Sequence, residues 1–564
     1  MNQVKYKHIF LGIALASSLL VGSFLLLART QTARADPGSL FVAPGGSGSS
    51  CSQASPCALQ TALSMASDGD VIYLAAGVYT GTGAAVITIT RSITLYGGWD
   101  GSMAQPVVRD PVRYASIMDG EGQRRGIYIN SPITPTIDGC TIVRRNATAG
   151  PAAGRGGGIY SYRAVVLAHN VVSGCVATTS DAQDGYGGGI YVEAGPSAAL
   201  VANRVEGNIA ATAYRGRGGG IAVIGGVGVI VADNLILSNT ASLTGGLGYG
   251  GGLWMSNAPL ATVRGNIVEH NIAQVGSAPA LGSRGGGMCA EWSNGLILTG
   301  NIMRHNSASA SGNGSGGGMH LRGTHDVLVQ GNLLQGNVAC SSLSPMFCGI
   351  GGALYMYASQ RALLDANQFL DNQASTSRWG YGGAVYFCRN TSFTMTNNIV
   401  VRSHASYQGG GIAFETSTTE PVSGTLLHNT FVNNNLGIEA GRYAIHVNRA
   451  WVTLALTNNL FSGHAYAVYG NAAATVTMNC NLFWDNSLGD IGGENVVNLA
   501  PITGMDPLLN PTYHLLAGSP AIDAALPSSV THDIDGDVRP YGAQPDIGAD
   551  EWLMHLLHLP LVVQ

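Results

Sequence analysis

Lysine and charge in general are what this sequence has least of. Only 10% of its 564 residues are charged, and its two lysines, Lys5 and Lys7, both stand near the N-terminus. After Ala35 there are 23 arginines and 32 acidic residues, which is a formal net charge of −9. A mildly acidic chain without a basic cluster is a poor ligand for nucleic acid. We therefore expect no nucleic-acid partner and no mechanism that needs a lysine base or Schiff base.

Long apolar runs are also missing, apart from one at the N-terminus. Lys5 and Lys7 precede the apolar residues 9–28, and Ala33 and Ala35 flank Arg34 just before Asp36. A positive start, an apolar stretch and an A-x-A site predict a signal peptide over residues 1–35. The apolar stretch is about 20 residues long, enough to span a bilayer, so an uncleaved membrane anchor is the alternative. Residues 553–564 form an apolar tail that is too short to span.

Cysteine is present in an odd number, nine, so at least one thiol has no partner within the chain. Cys51 and Cys57 enclose five residues, and Cys340 and Cys348 share one predicted surface loop. Both pairs are predicted as local disulfides, which an exported protein would retain. No cysteines show the paired C-x-x-C spacing of a zinc site.

Glycine is in excess, with 80 copies, and it marks a repeat. Asparagines keep step with the glycine groups, usually 14 residues after the third position, as from Gly189 to Asn203. Repeats about 32 residues long indicate a solenoid. Glycine and asparagine tolerate sharp bends, so each repeat predicts three short strands. The glycine groups begin at Gly156, Gly187, Gly218, Gly250, Gly285, Gly316, Gly351, Gly382 and Gly409.

A single repeat of this kind cannot bury its own apolar face, whereas stacked repeats bury a continuous column. The predicted fold is all-β: a single parallel β-helix with three strands per rung. About a dozen rungs at ~4.8 Å each would make a rod roughly 50–60 Å long. Stacked asparagines are expected to hydrogen-bond along its axis. Residues 56–66 are the one helix candidate, and we expect that helix to cap the open edge of the first rung.

Two resemblances follow from these motifs. The repeat resembles the right-handed parallel β-helix of the pectin-lyase-like superfamily, and its Gly383-Ala384-Val385 group is similar to repeats of polymorphic outer-membrane proteins. Near the C-terminus, residues 518–523, 533–537 and 546–551 resemble the choice-of-anchor Q segment of secreted β-helix proteins. The resemblances imply an N-terminal cap with the first strands over residues 36–115, a β-helix over 116–499, a small C-terminal cap over 500–552 and the tail over 553–564.

Two columns of side chains are predicted to point outward from the strand that follows each glycine group. The first column is aromatic at several rungs, and the second adds further aromatic and acidic residues. Exposed rings along a rod suit the apolar faces of sugar rings. The alternative is that the rings only stack across rungs and stabilise the sheet. The predicted ligand-binding residues are Tyr160, Tyr191, Glu193, Trp254, Tyr355, Tyr357, Tyr386 and Glu415.

Within these columns Glu291, His320 and Arg322 form the predicted catalytic group. Such a group could neutralise a uronate, abstract its α-proton and protonate a leaving oxygen. The alternative is a surface ion pair beside a solvated histidine. The superfamily resemblance implies lyases with an arginine or lysine base and calcium held by clustered acids. This chain has no lysine after its N-terminus and no acid cluster in its rungs, which favours a protein that is not an enzyme.

Asp533, Asp535 and Asp537 alternate as the oxygen ligands of a calcium loop do, and they predict a structural calcium ion as the one possible cofactor. Position twelve of this loop is Gln544 rather than the glutamate of an EF-hand. The alternative is that the carboxylates accept backbone N–H groups inside a terminal cap. A weaker candidate for a transition metal is the set Glu269, His270, Arg304 and His305.

These observations predict an extracellular protein, secreted or attached to the cell surface, and a monomer. Its predicted function is to bind polysaccharide, cell-surface glycan or another surface ligand along the aromatic column without catalysis. The alternative is a polysaccharide lyase, glycoside hydrolase or epimerase that acts on acidic polysaccharide. A purely structural spacer is the third hypothesis.

Overall fold

The computed structural model describes residues 38–553, except 194, 197, 277–281, 344–347, 377–378, 435–442, 448 and 471–472. The predicted signal peptide and residues 554–564 of the tail lie outside the described residues. Short strands dominate the rest, and Leu59–Met65 forms an α-helix. None of the described helical residues makes a segment long and apolar enough to cross a membrane.

Three parallel sheets run along the molecule and wind it into a β-solenoid of about 13 turns. Sheet 1 consists of Ser39–Val42, Val71–Ala75, Thr94–Trp99, Thr136–Asp138, Val166–Ala168, Ala199–Val201, Ile230–Ala232, Thr262–Arg264, Ile297–Thr299, Leu328–Gln330, Ala362–Asp365, Thr391–Thr396, Val422–Leu427, Val452–Thr457, Thr475–Asn479 and Val496–Leu499. Sheet 2, whose strands follow the glycine groups, consists of Ala85–Ile89, Arg125–Ile129, Ile159–Ser161, Ile190–Glu193, Ile221–Ile224, Leu253–Ser256, Met288–Glu291, Met319–Arg322, Leu354–Tyr357, Val385–Cys388, Ile412–Glu415, Tyr443–Val447, Tyr466–Gly470 and Gly489–Gly493. Sheet 3 consists of Gly77–Tyr79, Ser116–Asp119, Cys140–Val143, Val171–Ser173, Arg204–Glu206, Leu235–Leu237, Ile267–Glu269, Ile302–Arg304, Leu333–Gln335, Gln368–Leu370, Ile399–Val401, Thr430–Val432, Leu460–Ser462, Leu482–Trp484 and Ile502–Thr503. The prediction of an all-β parallel β-helix is confirmed.

Two further sheets, absent from the three-strand prediction, are added in the middle of the solenoid. They are built from the residues between sheet 3 and the next glycine group. Sheet 4 consists of Val176–Thr178, Ile209–Ala211, Thr240–Ser242, Ile272–Gln274, Ser307–Ser309, Val338–Cys340 and Gln373–Ser375. Sheet 5 consists of Gly185–Tyr186, Gly216–Arg217, Gly248–Tyr249, Ser283–Arg284, Gly314–Ser315, Cys348–Ile350 and Trp379–Tyr381. The middle turns therefore have five strands each.

The solenoid interior is one continuous apolar core. Ile190 and Val192 are fully buried and lie in register with Ile221 and Val223 on the next turn. One apolar cluster of such residues extends from Val42 to Phe483. Burial of each large aliphatic side chain contributes roughly 1.5–3 kcal/mol, so the stacked columns supply most of the driving force for folding.

Buried asparagines form the predicted ladders at two bends. In the first ladder, Asn203 Nδ2 donates to Asn234 Oδ1 at 3.0 Å, and the backbone N–H of Asn203 donates to the same oxygen at 2.9 Å. The pattern is repeated from Asn170 to Asn481, and a second ladder runs from Asn208 to Asn372. Each side chain thus satisfies polar groups at a tight bend that would otherwise be buried without partners.

The N-terminal end matches its predicted cap. Leu59 and Ala62 of the helix are buried in the same apolar cluster as the first strands. Cys51 and Cys57 form the predicted disulfide. The second predicted disulfide is not formed. Cys340 and Cys348 are free thiols, and they lie in neighbouring strands of sheets 4 and 5.

The C-terminal segment, residues 504–553, contains neither helix nor strand and packs along the flank of the last turns. Its Leu515, Ala521 and Ile547 join Leu460 and Leu482 in a second apolar cluster. Polar contacts extend this packing along the axis: His532 Nε2 lies 2.9 Å from Asp365 Oδ2, and Thr430 Oγ1 accepts the Ala549 N–H at 2.9 Å.

Candidate functional site

Most rings of the outward aromatic column are covered, so the expectation that they are exposed is wrong for these rings. Tyr191 is 1% exposed and Trp254 5%, and Tyr160 and Tyr386 are equally buried. Sheet 5 lies over them: the Tyr186 ring is 6.2 Å from that of Tyr191 and 5.8 Å from that of Trp254. Within the column the rings stack across turns, as the alternative hypothesis predicted, with Tyr160 and Tyr191 5.4 Å apart.

The two acidic residues of the second column are engaged in ion pairs. Glu193 lies 3.7 Å from Arg155 and accepts the Tyr191 hydroxyl at 3.3 Å. Glu415 lies 2.8 Å from Arg389. These carboxylates hold the edge of the covered aromatic column. Their predicted role in ligand binding stays a prediction.

A cavity of about 390 Å³ opens on the outer face of sheet 2, at the predicted catalytic group. His320 and Arg322 line it, together with Tyr355 and Tyr357 from the next turn. Both tyrosines are half-buried rather than covered. Arg284, Ser315 and Ile350 of sheet 5 complete most of its wall. The structure thus brings two predicted catalytic residues and two predicted ligand-binding residues into one space.

The cavity exists because of a small residue in sheet 5. The residue just before each glycine group occupies one column of this sheet, and in most turns it is large, as with Tyr186, Arg217, Tyr249 and Tyr381. In the turn of His320 the same position holds Ser315, in register with Arg284 on one side and Ile350 on the other. Because a serine is shorter than these residues, a cavity remains on the outer face beside His320, although the imidazole itself is buried.

Two guanidinium groups and one carboxylate set the charge of the site. Glu291 Oε1 lies 3.0 Å from Arg284 Nη1 and 3.7 Å from Arg322 Nη1, and Glu291 Oε2 accepts the Trp254 indole N–H at 3.3 Å. Arg322 also lies against the rings of Trp292 and Tyr357. The three charged groups leave a net charge of +1 at the cavity.

His320 is 2% exposed and stacks on Tyr355, with ring centroids 4.6 Å apart. Burial, Arg284 and Arg322 together hold the pKa of His320 well below its usual value, so the imidazole is neutral. The Ser315 hydroxyl donates to the Ser283 carbonyl, so His320 Nδ1–H donates to Ser315 Oγ at 3.0 Å. Nε2 therefore carries a lone pair, and among the described residues it has no hydrogen-bond partner.

The arrangement can hold an anion and offer it a hydrogen-bond acceptor. The guanidinium groups match a carboxylate, while the neutral Nε2 can accept a hydroxyl hydrogen or a proton. Arg284 was missed by the sequence analysis. The sequence signal for Arg284 was that the residue before most glycine groups is large. This pattern could be interpreted only after the structure showed that sheet 5 folds back over sheet 2.

The predicted calcium ligands do not converge. Asp533 is fully buried, and its carboxylate accepts the backbone N–H groups of Asp535, Asp537 and Glu551 at 2.8–2.9 Å. This is the alternative that the sequence left open. Asp535 instead pairs with His514, 2.9 Å away.

The weaker candidate for a transition metal is a set of surface contacts. Glu269 forms an ion pair with Arg304 at 3.0 Å, and the rings of His270 and His305 stack at 5.3 Å. The side chain of His270 is 60% exposed.

The fold and the site define a parallel β-helix protein with a cationic cavity on its outer face. A family model described as the right-handed beta helix region matches residues 74–279 and 275–436. These matches cover more than half of the chain, and the protein therefore belongs to the right-handed β-helix family. The C-terminal segment lies beyond the matched residues, so its resemblance to choice-of-anchor Q stays a prediction. No curated protein matches the sequence.

Several solved structures are similar to this chain at low identity. Pectate lyase Pel9A is 13% identical, with a TM-score of 0.33, over 92% of this chain and 98% of the lyase. The periplasmic alginate epimerase AlgG is 9% identical, with a TM-score of 0.31, over 78% of this chain and 86% of the epimerase. PfbA, a surface adhesin of Streptococcus pneumoniae, is 11% identical, with a TM-score of 0.27, over 76% of this chain and 83% of the adhesin.

Proposed function

We propose that this protein binds an acidic carbohydrate, with a sugar carboxylate held in the cavity between Arg284 and Arg322. The observation that carries the proposal is the net positive charge of this cavity in an otherwise acidic molecule. Its volume of about 390 Å³ falls in the range of small-molecule sites, roughly 300–1,000 Å³. On the N-terminal pattern, the protein would meet this ligand outside the cell.

The cavity walls supply the rest of what a sugar needs. Tyr355 and Tyr357 offer partly exposed aromatic surface for the apolar face of a pyranose ring. His320 Nε2 is buried next to the cavity without a partner, so a shift of the side chains over it would let it accept a sugar hydroxyl. The proposed binding is thus confined to the cavity, where Tyr355 and Tyr357 are partly exposed, rather than extended along the whole aromatic column.

The test is calorimetric titration of the protein with uronic-acid trisaccharides and with their neutral counterparts. A hydrogen bond between charged groups contributes ~1.5–3 kcal/mol. Because ~1.4 kcal/mol is a tenfold change in affinity, we expect Arg322→Gln and Arg284→Gln each to weaken binding about tenfold or more. Neutral trisaccharides should bind weakly in all forms.

Arg304→Gln is the matched control, because Arg304 also pairs with a glutamate on an outer face but lies on sheet 3. It should bind the acidic trisaccharide like the unaltered protein. Circular dichroism would establish that all variants fold. Equal affinity for acidic and neutral sugars, or an equal loss in Arg304→Gln, would contradict the proposal.

A second candidate function, a lyase or epimerase, is favoured by one observation: a neutral histidine nitrogen without a partner beside two guanidinium groups. Nε2 could take the proton α to a carboxylate, and the arginines would stabilise the resulting charge. In deuterated water such an enzyme would exchange the α-proton of an oligouronate or yield an unsaturated product. His320→Gln would abolish either signal. If the unaltered protein shows neither exchange nor an unsaturated product, carbohydrate binding without catalysis is the function that remains.

A further inference from the structure

Three loops of the C-terminal segment meet at His514, Asp535 and Asp550. One potential ligand atom from each side chain lies within 4.8 Å of the other two. His514 Nε2 and Asp535 Oδ2 are 2.9 Å apart. Among the described residues, no other group of three or more histidine, cysteine, aspartate or glutamate side chains gathers in this way.

The orientation of His514 is determined by a chain of hydrogen bonds behind it. The Thr512 hydroxyl donates to Asn510 Oδ1 at 2.8 Å, so its oxygen is left as the acceptor for His514 Nδ1–H at 2.9 Å. Asn510 Oδ1 also accepts the backbone N–H groups of Thr512 and His514. With Nδ1–H donated to Thr512, Nε2 is the ring atom that faces the Asp535 carboxylate. Two acceptors at 2.9 Å repel unless a proton or a metal ion lies between or beside them.

Asp550 brings a second carboxylate to the same place. It is 7% exposed, and its Oδ2 accepts the N–H of Leu515, the residue after His514. An ionised carboxylate has about four lone-pair positions, so one backbone N–H leaves most of them available. Asp535 is exposed, which leaves the cluster open to solvent on one side.

We propose that His514, Asp535 and Asp550 form a site for a divalent transition-metal ion of the zinc type. An imidazole nitrogen with two carboxylates suits zinc, whereas calcium takes oxygen ligands only. Water would complete the coordination on the exposed side. The hydrogen bond from His514 Nδ1 to Thr512 corresponds to the outer contact that orients most metal-binding histidines. The bound ion would cross-link three loops that have no helix or strand to hold them.

The test uses the full chain, stripped of metal with a chelator and titrated with zinc chloride or calcium chloride in a calorimeter. We expect one zinc ion per chain, a higher thermal midpoint with zinc, and at least a tenfold loss of zinc affinity in His514→Gln and in Asp550→Asn. His270→Gln is the matched control, because His270 stacks with His305 and its exposed side chain is accessible to adventitious zinc. Its zinc affinity should be unchanged.

Cobalt(II) gives a measurement that does not depend on any variant. Substitution at a site with one imidazole and two carboxylates should produce visible d–d absorption in the unaltered protein, and zinc should remove it. The proposal is overturned if no stoichiometric zinc binds, or if His514→Gln and Asp550→Asn both bind zinc normally. It is also overturned if calcium binds and zinc does not.

Discussion

The asparagines inside the two ladders form hydrogen bonds with the turns on both sides along the axis. Asn301, for example, accepts the side-chain and backbone N–H groups of Asn266 and donates to Asn332 and to the Val263 carbonyl. The sequence predicted both ladders, because the asparagine spacing keeps step with the glycines. A polar residue at a fixed place in an otherwise apolar repeat has to find its partners on the neighbouring turns.

Asn301→Ala should therefore be costly. It leaves the backbone N–H of Asn266 without its acceptor in a fully buried bend, and it removes the three bonds of the Asn301 side chain with Asn266 Nδ2, Asn332 Oδ1 and the Val263 carbonyl. At ~1–3 kcal/mol for the unpaired N–H and about 1 kcal/mol for each lost bond, we expect a loss of about 3 kcal/mol or more. Urea unfolding measures it as a lower midpoint. Asn294→Ala, an exposed asparagine with one bond to the His325 N–H, should shift the midpoint little. A similar midpoint for both variants would show that the ladder is not stabilising.

His320 illustrates why the site was predicted only in part. The sequence placed Glu291, His320 and Arg322 on one face of adjacent turns, and the strand register confirms this. Nothing in that pattern says whether the face is covered. The answer depends on Ser315, five residues before His320, whose importance appears only when its column in sheet 5 is compared across turns.

At the scale of the strand and its bend, the positions of the glycine group differ in how well they tolerate an added side chain. A Cβ on Gly219, the middle position, would lie 2.3 Å from the Gly251 oxygen and 2.4 Å from the Thr240 carbonyl carbon. A Cβ on Gly220, the third position, would meet its nearest atoms at 2.9 Å. The chain itself has Ala353 and Ala384 at the third position of other turns.

We therefore expect Gly220→Ala to cost less than about 1.5 kcal/mol, and Gly219→Ala to cost at least ~3 kcal/mol because two backbones must separate. Thermal unfolding followed by circular dichroism compares the two, and each serves as the control for the other. Equal midpoints would contradict the close approach of successive turns at the middle glycine.

Sheets 4 and 5 could not be predicted from the pattern. Their strands are two to three residues long and lie in the segments whose length varies from repeat to repeat. A strand this short has no detectable alternation of apolar and polar residues. The omission of these two sheets affected the functional prediction. The aromatic column was predicted to be exposed, whereas sheet 5 covers most of its rings.

The C-terminal segment should hold to the solenoid in a pH-dependent way. The pKa of His532 is raised, chiefly by its hydrogen bond to Asp365, with Asp533 adding to the rise and burial and Arg539 opposing it. Despite its burial, Asp365 has a lowered pKa because His532, Thr396 and Gln330 bond to it. The histidine contribution is complete below its unfolded pKa of about 6.5 and is lost as the pH rises through the raised value. The aspartate contribution is lost as the pH falls below about 4.

Hydrogen exchange of residues 526–540, corrected for intrinsic rates, should therefore show more protection at pH 5.5 than at pH 8. His532→Gln keeps a donor but not the charge, and it should reduce this difference; the rest belongs to Asp546, whose pKa burial raises to about 6. The same difference in the variant would assign the pH dependence to other groups of the segment.

At the scale of the whole molecule, the fold was the most predictable feature and the ligand the least. A fixed repeat and the stacked asparagines specify a parallel β-helix, because each turn repeats the same packing problem. A ligand site is a departure from that repetition, here one serine and two arginines on two neighbouring turns. With a net charge of −9 after Ala35, the molecule as a whole repels anionic polymers, so the local positive charge at the cavity has to supply the attraction.

The most direct test of this account is a crystal structure of the protein with a uronic-acid trisaccharide. We predict the sugar in the cavity, its carboxylate within about 3 Å of the Arg284 and Arg322 guanidinium groups and a hydroxyl within about 3 Å of His320 Nε2. A trisaccharide bound on another face, with this cavity holding only water, would contradict the central claim.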